Sequence, residues 1–566
     1  MGSYTTKTMN KKYLILIMAR KGSDDVISRQ NLRLVNNKPL LYYIVKTALK
    51  FKKADVMVST DSEEIRELSL LYGAQYIKRP KKLTKNSTSV KEICFDVLQK
   101  LQKENIHYEK CLVLHPKIPL IKNSTINTFF KNLEKNRSTI FGISNIVDSK
   151  LGYEIKNSKD LLNLNPSPKP IAILNRIVAF NTKQFIKNNG KFTSPFYGLK
   201  LPDDETHSLI SYHDFGTFEQ ILNRKKILVR IDSTVKIGMG HVFNMLTILN
   251  HFRHDEILIL MHKNRNLGYK QFRENLYNVS FFTSDTEFNG VLRKFKPDII
   301  FNDILNTTES YMKKLQNYTT MTVNFEDRGK GRKLSNLIFN PIFEKQKSLP
   351  KEFYGAKYAC VRDEFRIWTN EILSENVKKV LISFGGTDQN NITEKTISII
   401  QKYNLKNIEF ILLLGFGYIH KKTIKEKIKK LQKESFKIIL IDDSDFMAKH
   451  IRDVDFAIVS NGRTVFELAA MNVPVLAISV NTREQSHNFV KEQNTGIKID
   501  YKKSTYEKLL KKSLEKMLNF NNRKIYKKNL VKIDLLNGIN IVVQKINHEY
   551  DVLNKSVIQK LDSSNS

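Results

Sequence analysis

Midway along the 566-residue chain, the apolar run Ile227-Leu-Val-Arg-Ile231 leads into Asp232-Ser-Thr-Val-Lys-Ile237 and then Gly238-Met-Gly240-His241. A helical pattern follows over residues 242–251. Glycines let a backbone come close to a phosphorylated ligand, a helix start offers unpaired N–H groups to it, and histidine titrates near neutral pH. The chemistry this predicts is proton abstraction beside a bound phosphate. Taken alone the motif also reads as a plain turn, or as a histidine capping its helix. Two later loops favour the chemical reading. Gly385-Gly386-Thr387-Asp388 ends a strand-like run at residues 379–384, and Ser460-Asn461-Gly462-Arg463-Thr464 precedes Glu467, which is placed to accept from ribose hydroxyls.

The elements that must position these residues alternate strand with helix. In the first part, residues 13–18, 55–58, 75–77 and 111–114 read as strands, and 39–51, 63–72, 89–103 and 124–136 as helices. A second series has strands at 227–231, 256–261, 278–282, 298–301 and 321–325, ending near polar residues such as Asn302-Asp303 and Glu326-Asp327-Arg328. A third has strands at 379–384, 408–414, 438–441, 456–458 and 475–478. Such alternation predicts parallel α/β sheets with ligands beyond the carboxyl ends of the strands. The expected fold is a nucleotidyltransferase Rossmann-like domain over residues 11–223, then a GT-B body. That body has halves at 226–376 and 377–500, followed by a Lys-rich helical segment, 501–566, with Leu509, Leu510, Leu514 and Met517 at core spacing.

A formal net charge of +37 would ordinarily suggest nucleic acid. Here the lysines are scattered, and the densest stretch, residues 421–433, reads as a solvated helix face, so nucleic-acid binding is not expected. Cys94, Cys111 and Cys360 are too few and too scattered for a disulfide framework or zinc site. No apolar run reaches membrane-spanning length and no signal-peptide core is present, so the expected location is cytoplasmic.

The first part resembles the acylneuraminate cytidylyltransferases, which activate nonulosonic acids with CTP. The residues that carry this are Arg20-Lys-Gly-Ser23, Arg29-Gln-Asn31, Lys38-Pro39-Leu40, Val58-Ser-Thr-Asp61, Gly73-Ala74 and Arg79-Pro80. The resemblance implies that Arg20, Ser23, Arg29, Asn31, Asp61 and Arg79 line CTP, that Asp214 binds Mg²⁺, and that this lobe forms a homo-oligomer. Three departures predict lost or altered activity. Asp24 stands where the family has a phosphate-binding lysine, His115-Pro-Lys-Ile-Pro119 replaces a small polar loop, and Tyr212-His213-Asp214 keeps one carboxylate of a metal pair. A scaffold role is the alternative.

The remainder resembles the UDP-sugar hydrolases of pseudaminic acid biosynthesis and their spore-coat polysaccharide relatives, and more distantly the lipid II glycosyltransferase. Matching residues are Arg230-x-Asp232-Ser233, Gly238-x-Gly240-His241, Phe325-Glu-Asp327-Arg328, Arg362-x-Glu364-Phe365, Phe384-Gly-Gly-Thr-Asp388, Ser460 with Glu467, and Asn481 with Gln485. The implied reaction is hydrolysis of a UDP-diacetamido-trideoxyhexose at C1. His241 is the expected general base, with Asp232, Glu326 and Asp327 to orient it or to bind sugar, and Asn481 and Gln485 as further sugar contacts. Gly238, Gly240, Gly385, Gly386, Thr387, Ser460, Gly462, Thr464 and Glu467 are expected to hold the nucleotide, with no obligatory metal. Asn244 replaces an arginine expected three residues after the histidine, which leaves open an acceptor that is a sugar hydroxyl, as in a glycosyltransferase.

Overall fold

The computed structural model describes the chain except residues 1–10, 23–26, 86, 136, 146–152, 156–163, 167–170, 235–237, 344–349, 416, 443, 445 and 565–566. It divides into two compact units, Met1–Asn223 and Arg224–Ser566. Among the described residues no helix is long and apolar enough to cross a membrane.

The first unit is built on a seven-stranded sheet. Its order is Phe196–Lys200, Thr139–Asn145, Ile171–Asn181, Lys110–Leu114, Tyr13–Met18, Ala54–Thr60 and Gln75–Lys78. The strand Tyr13–Met18 is buried along its whole length because both faces are covered. Alternate residues serve opposite cores. Ile15 and Ile17 pack with Leu41, Ile44 and Phe130, while Leu14 and Leu16 pack with Cys94, Val97 and Leu98. Helix Glu63–Tyr72 starts on the Ser62 hydroxyl and stops at Gly73, whose φ of 96° suits a residue without Cβ. Helix Val90–Lys103 is opened by a Ser89–Glu92 capping box.

The second unit holds two parallel sheets. The first runs Asn278–Phe282, Glu256–His262, Lys226–Ile231, Ile299–Asp303, Met321–Phe325, Leu337–Asn340, Glu352–Tyr354. The second runs Lys437–Asp442, Glu409–Leu414, Lys379–Ser383, Phe456–Ser460, Val475–Ser479, Gly496–Asp500. In each, the first strand in sequence is flanked by the second and the fourth, so the order reverses beside it and opens a crevice at the strands' carboxyl ends. Two Rossmann-like halves sharing one cavity form the GT-B architecture.

The C-terminal chain ties the halves. Leu510, Leu514 and Met517 join the core of the second half, with Leu509 left 36% exposed rather than buried, and Ile539, Val542 and Ile546 join the core of the first. Between them, helix Phe520–Leu530 grips the connector between the halves. Arg523 donates to the carbonyls of Ser374 at 2.8 Å and Glu375 at 3.0 Å, and Lys527 to those of Asn370 at 2.7 Å and Ile372 at 2.8 Å.

Candidate active site

A cavity of about 890 Å³ in the second unit is lined by Gly238, Gly240 and His241 from the first half, and by Gly385, Gly386, Thr387, Ser460, Gly462, Thr464, Glu467 and Asn481 from the second. The glycines have distinct reasons. Gly385 has φ 72°, a conformation that favours glycine, and a Cβ on Gly386 would lie 3.1 Å from Cβ of Met239, so the two halves' turns approach closely there.

His241 lies in the first turn of helix Gly240–Leu249 and is 3% exposed. Its Nδ1 bonds to the Asp303 carboxylate. Asp303 ends the strand beside Lys226–Ile231, directly opposite Ile231 in the parallel register, which carries its carboxylate to the start of the following helix. On the other side of the ring, Arg483 Nη1 lies 3.1 Å from Nε2. Burial pushes the imidazole below its ordinary pKa, Arg483 and Arg463 push the same way, and Asp303 opposes them. The network therefore assigns a neutral ring that donates from Nδ1 and carries its lone pair on Nε2.

The carboxylate orienting His241 is thus Asp303, and Asp232 does not hold that position. Asp232 Oδ1 is 2.6 Å from Arg230 Nη1 and Oδ2 is 3.1 Å from Arg265 Nη1, so both oxygens are committed to arginines. Asp327 is likewise committed. It accepts from Thr307 N at 2.9 Å, Gly329 N at 2.8 Å, Thr307 Oγ1 at 2.6 Å and Asn324 Nδ2 at 2.7 Å, and so fixes a loop. Glu326 is buried in a left-handed conformation, φ 53°, with Arg463 and Arg483 at its carboxylate. Asn481 caps the short helix Thr482–Gln485 by accepting from Glu484 N at 2.9 Å, and Gln485 is exposed.

Glu467 lines the cavity one turn into helix Thr464–Ala470 and accepts from Arg362 Nε at 2.8 Å. Arg362 also pairs with Glu364 at 2.8 Å and lies 5.1 Å from the Phe243 ring centroid. Asp303, Arg463, Arg483 and Arg362 are the site residues that sequence reasoning left without a role. Asp303 had one signal, a polar residue ending a strand.

In the first unit, Arg20, Asn31, Asp61 and Arg79 form one hydrogen-bonded neighbourhood beyond the carboxyl ends of neighbouring strands. Arg20 donates to Thr84 O at 2.5 Å and its carbonyl accepts from Asn31 Nδ2 at 2.8 Å. Asp61 accepts from Lys21 N at 2.8 Å. Buried Arg79 donates to Ser59 O at 2.8 Å and to its hydroxyl at 3.2 Å, and burial pushes it down to about 10. Burial also drives His115 well below the ordinary histidine value, and Arg176, Lys117, Arg79 and Arg20 act in the same direction. That is a cationic sheet edge, to which Arg176 and Lys117 add charge the sequence reading did not assign. Arg29, in contrast, pairs with Glu64 on the surface, and Ser23 lies outside the described residues.

Asp214, expected to bind Mg²⁺, is the third residue of a capping box. Its Oδ2 accepts from Ile210 N at 2.8 Å, Ser211 N at 2.7 Å and Ser211 Oγ at 2.9 Å. Among the described residues no three His, Cys, Asp or Glu side chains converge to hold a metal. Among the described residues, Asp214 is committed to its helix cap rather than to a cation.

Residues 14–191 match the cytidylyltransferase family model. A Helicobacter pylori protein described as pseudaminic acid cytidylyltransferase and UDP-2,4-diacetamido-2,4,6-trideoxy-beta-L-altropyranose hydrolase is 24% identical over 552 residues, covering 93% of this chain and 98% of that one. An uncharacterized protein of Methanocaldococcus jannaschii is 28% identical over 273 residues, 45% of this chain and 56% of its own length. The spore coat polysaccharide biosynthesis protein SpsG of Bacillus subtilis is 23% identical over 261 residues, 44% of this chain and 75% of that protein. Among solved structures, MurG of Acinetobacter baumannii aligns at TM-score 0.42 and 11% identity, covering 57% of this chain and 99% of that one.

Proposed function

We propose that the second unit hydrolyses a nucleotide sugar, a UDP-linked 2,4-diacetamido-2,4,6-trideoxyhexose, within a pathway that makes a nonulosonic acid. Water attacks C1, its proton passes to His241 Nε2, the C1–O bond breaks, and UDP departs. Asp303 holds the ring so that Nε2 faces the cavity and stabilises the imidazolium that forms. The glycine turns at Gly385-Gly386 and Gly462 present backbone N–H groups to the departing diphosphate, and Glu467 accepts from the ribose. The observation that carries this reading is the His241–Asp303 pair beside those turns in one cavity. The first unit is a CTP-dependent transferase-like domain for a nonulosonic acid whose activity is lowered or altered by the departures at Asp24, residues 115–119 and Tyr212, a reading supported by the family match and by the full-length alignment that spans both units in one order.

The test is release of UDP from a UDP-diacetamido sugar with water alone. UDP that appears only after an acceptor glycan is added would replace hydrolysis with glycosyl transfer. Pyrophosphate release from CTP and a nonulosonic acid tests the first unit separately.

A further inference from the structure

Two guanidiniums enter the cavity from the second half. Arg463 Nη2 is 2.6 Å from Glu326 Oε1, and Arg483 pairs with Glu326 Oε2. The same Arg483 donates to His241 Nε2, the atom that the proposed reaction needs free. Glu326 is one carboxylate shared by two cations, and its side chain is wholly shut off from solvent. Both guanidiniums thus reach the edge of a cavity whose glycine turns already offer N–H donors, with Glu326 between them, Asp303 acting on both, Glu467 on Arg463 and Glu484 on Arg483. On the other side of the cavity, the helix that carries His241 supplies the neutral Asn244 and no cation of its own.

We propose that Arg483, assisted by Arg463, is the receptor for the diphosphate of the nucleotide sugar, and that Arg483 passes from His241 to that anion when substrate binds. The empty site then holds its own base masked, and the loaded site unmasks it. A planar guanidinium matches a phosphate fork better than it matches one imidazole nitrogen, so the exchange runs towards the anion. In the reaction, water gives its proton to the released Nε2, and the electron pair of the broken C1–O bond leaves on a diphosphate whose charge the two guanidiniums meet. This restores, from the opposite half, the positive charge that position 244 lacks. The inference rests on the assignment of His241 as base only for its catalytic consequence. Anion capture by Arg483 stands apart from that assignment.

The charged groups facing His241 are Asp303, Arg483 and Arg463, with Glu326 behind the arginines. The full chain, labelled at histidine, is titrated by NMR with and without UDP, and UDP affinity is measured by calorimetry. In the wild type, UDP is expected to raise the His241 titration midpoint, because a cation leaves the ring and an anion arrives. Arg483→Gln is expected to raise that midpoint without UDP, to shrink the UDP-dependent shift, and to weaken UDP binding at least tenfold, with Arg483→Lys intermediate. Glu326→Gln is expected to tighten UDP binding severalfold by freeing both guanidiniums, which a mere clamp between the halves would not do. Unchanged UDP affinity in Arg483→Gln and Arg483→Lys, or a His241 midpoint indifferent to UDP, overturns the proposal. If His241→Ala keeps full turnover while Arg483→Gln loses UDP affinity, the base assignment falls and the anion site stands.

Discussion

His241 and Asp303 meet from neighbouring segments of the same sheet edge, the histidine in the helix after strand Lys226–Ile231 and the aspartate at the end of the strand paired with it. Parallel register places the Asp303 backbone opposite Ile231, so the sheet fixes the aspartate, and the first turn of helix Gly240–Leu249 brings the histidine to it. Asp303→Asn removes the charge that stabilises the imidazolium while preserving shape. Turnover is expected to fall by about 10²–10⁴, the range for loss of general-base function, with KM changed little. Steady-state kinetics check this, and a loss confined to KM would show that Asp303 acts only in binding.

The pH profile should carry the sign of the His241 environment. Burial, with Arg483 and Arg463, favours the neutral ring, so the base form already dominates at neutral pH. The acid limb of kcat/KM for hydrolysis is expected below the ordinary histidine value of about 6.5, falling about tenfold per pH unit there. Asp303 pulls the pKa upward, so Asp303→Asn should move the limb lower still. A limb at or above the ordinary histidine value in the wild type would contradict the buried, arginine-flanked ring.

Glu467 offers a separable test, because its carboxylate is held by Arg362, while Asp303 holds His241. If it accepts from ribose hydroxyls, Glu467→Gln should weaken binding of the UDP-sugar by about 1.5–3 kcal/mol, read as a rise in KM with kcat nearly unchanged. The 2′-deoxy nucleotide sugar should lose affinity with the wild type and little further with the variant. Equal KM for both sugars in the wild type would remove the ribose role.

The apolar strands that open each series were legible because runs such as Tyr13–Met18 and Lys379–Ser383 are continuous and end at polar or glycine-containing turns. Thr139–Asn145, Ile171–Asn181 and Phe196–Lys200 were not. Their sequences are broken by Gly142, Asn175-Arg176 and Gly198, and two of their pairings are antiparallel. Glu352–Tyr354 is only three residues long, too short for a pattern. In the site, Gly-x-Gly-His pointed to His241, but the choice of Asp303 over Asp232 needed the register of two strands. Arg463 and Arg483 sit inside motifs already visible in the sequence. Their convergence on Glu326 depends on how two sheets face each other, which no local pattern encodes.

His487 provides a stability test independent of catalysis. It is 1% exposed, its Nδ1 donates to Asn461 O at 2.9 Å, and its ring lies against Phe466 with centroids 4.9 Å apart. Burial pushes its pKa down to about 4, with Lys498 and Arg483 acting the same way against the Asn461 carbonyl. The unfolded chain, with an ordinary histidine, takes up this proton first as pH falls, so it binds more protons than the folded chain between about 6.5 and 4, and stability declines across that window. By pH 5 the single residue should cost about 2 kcal/mol relative to pH 7.5. Urea unfolding of wild type and His487→Asn at both pH values isolates the effect, since other buried histidines contribute equally to both proteins. The variant should be less stable at pH 7.5, because packing and the bond to Asn461 are impaired, yet lose less on acidification. An identical pH dependence in the two proteins would mean that His487 titrates as a solvated ring.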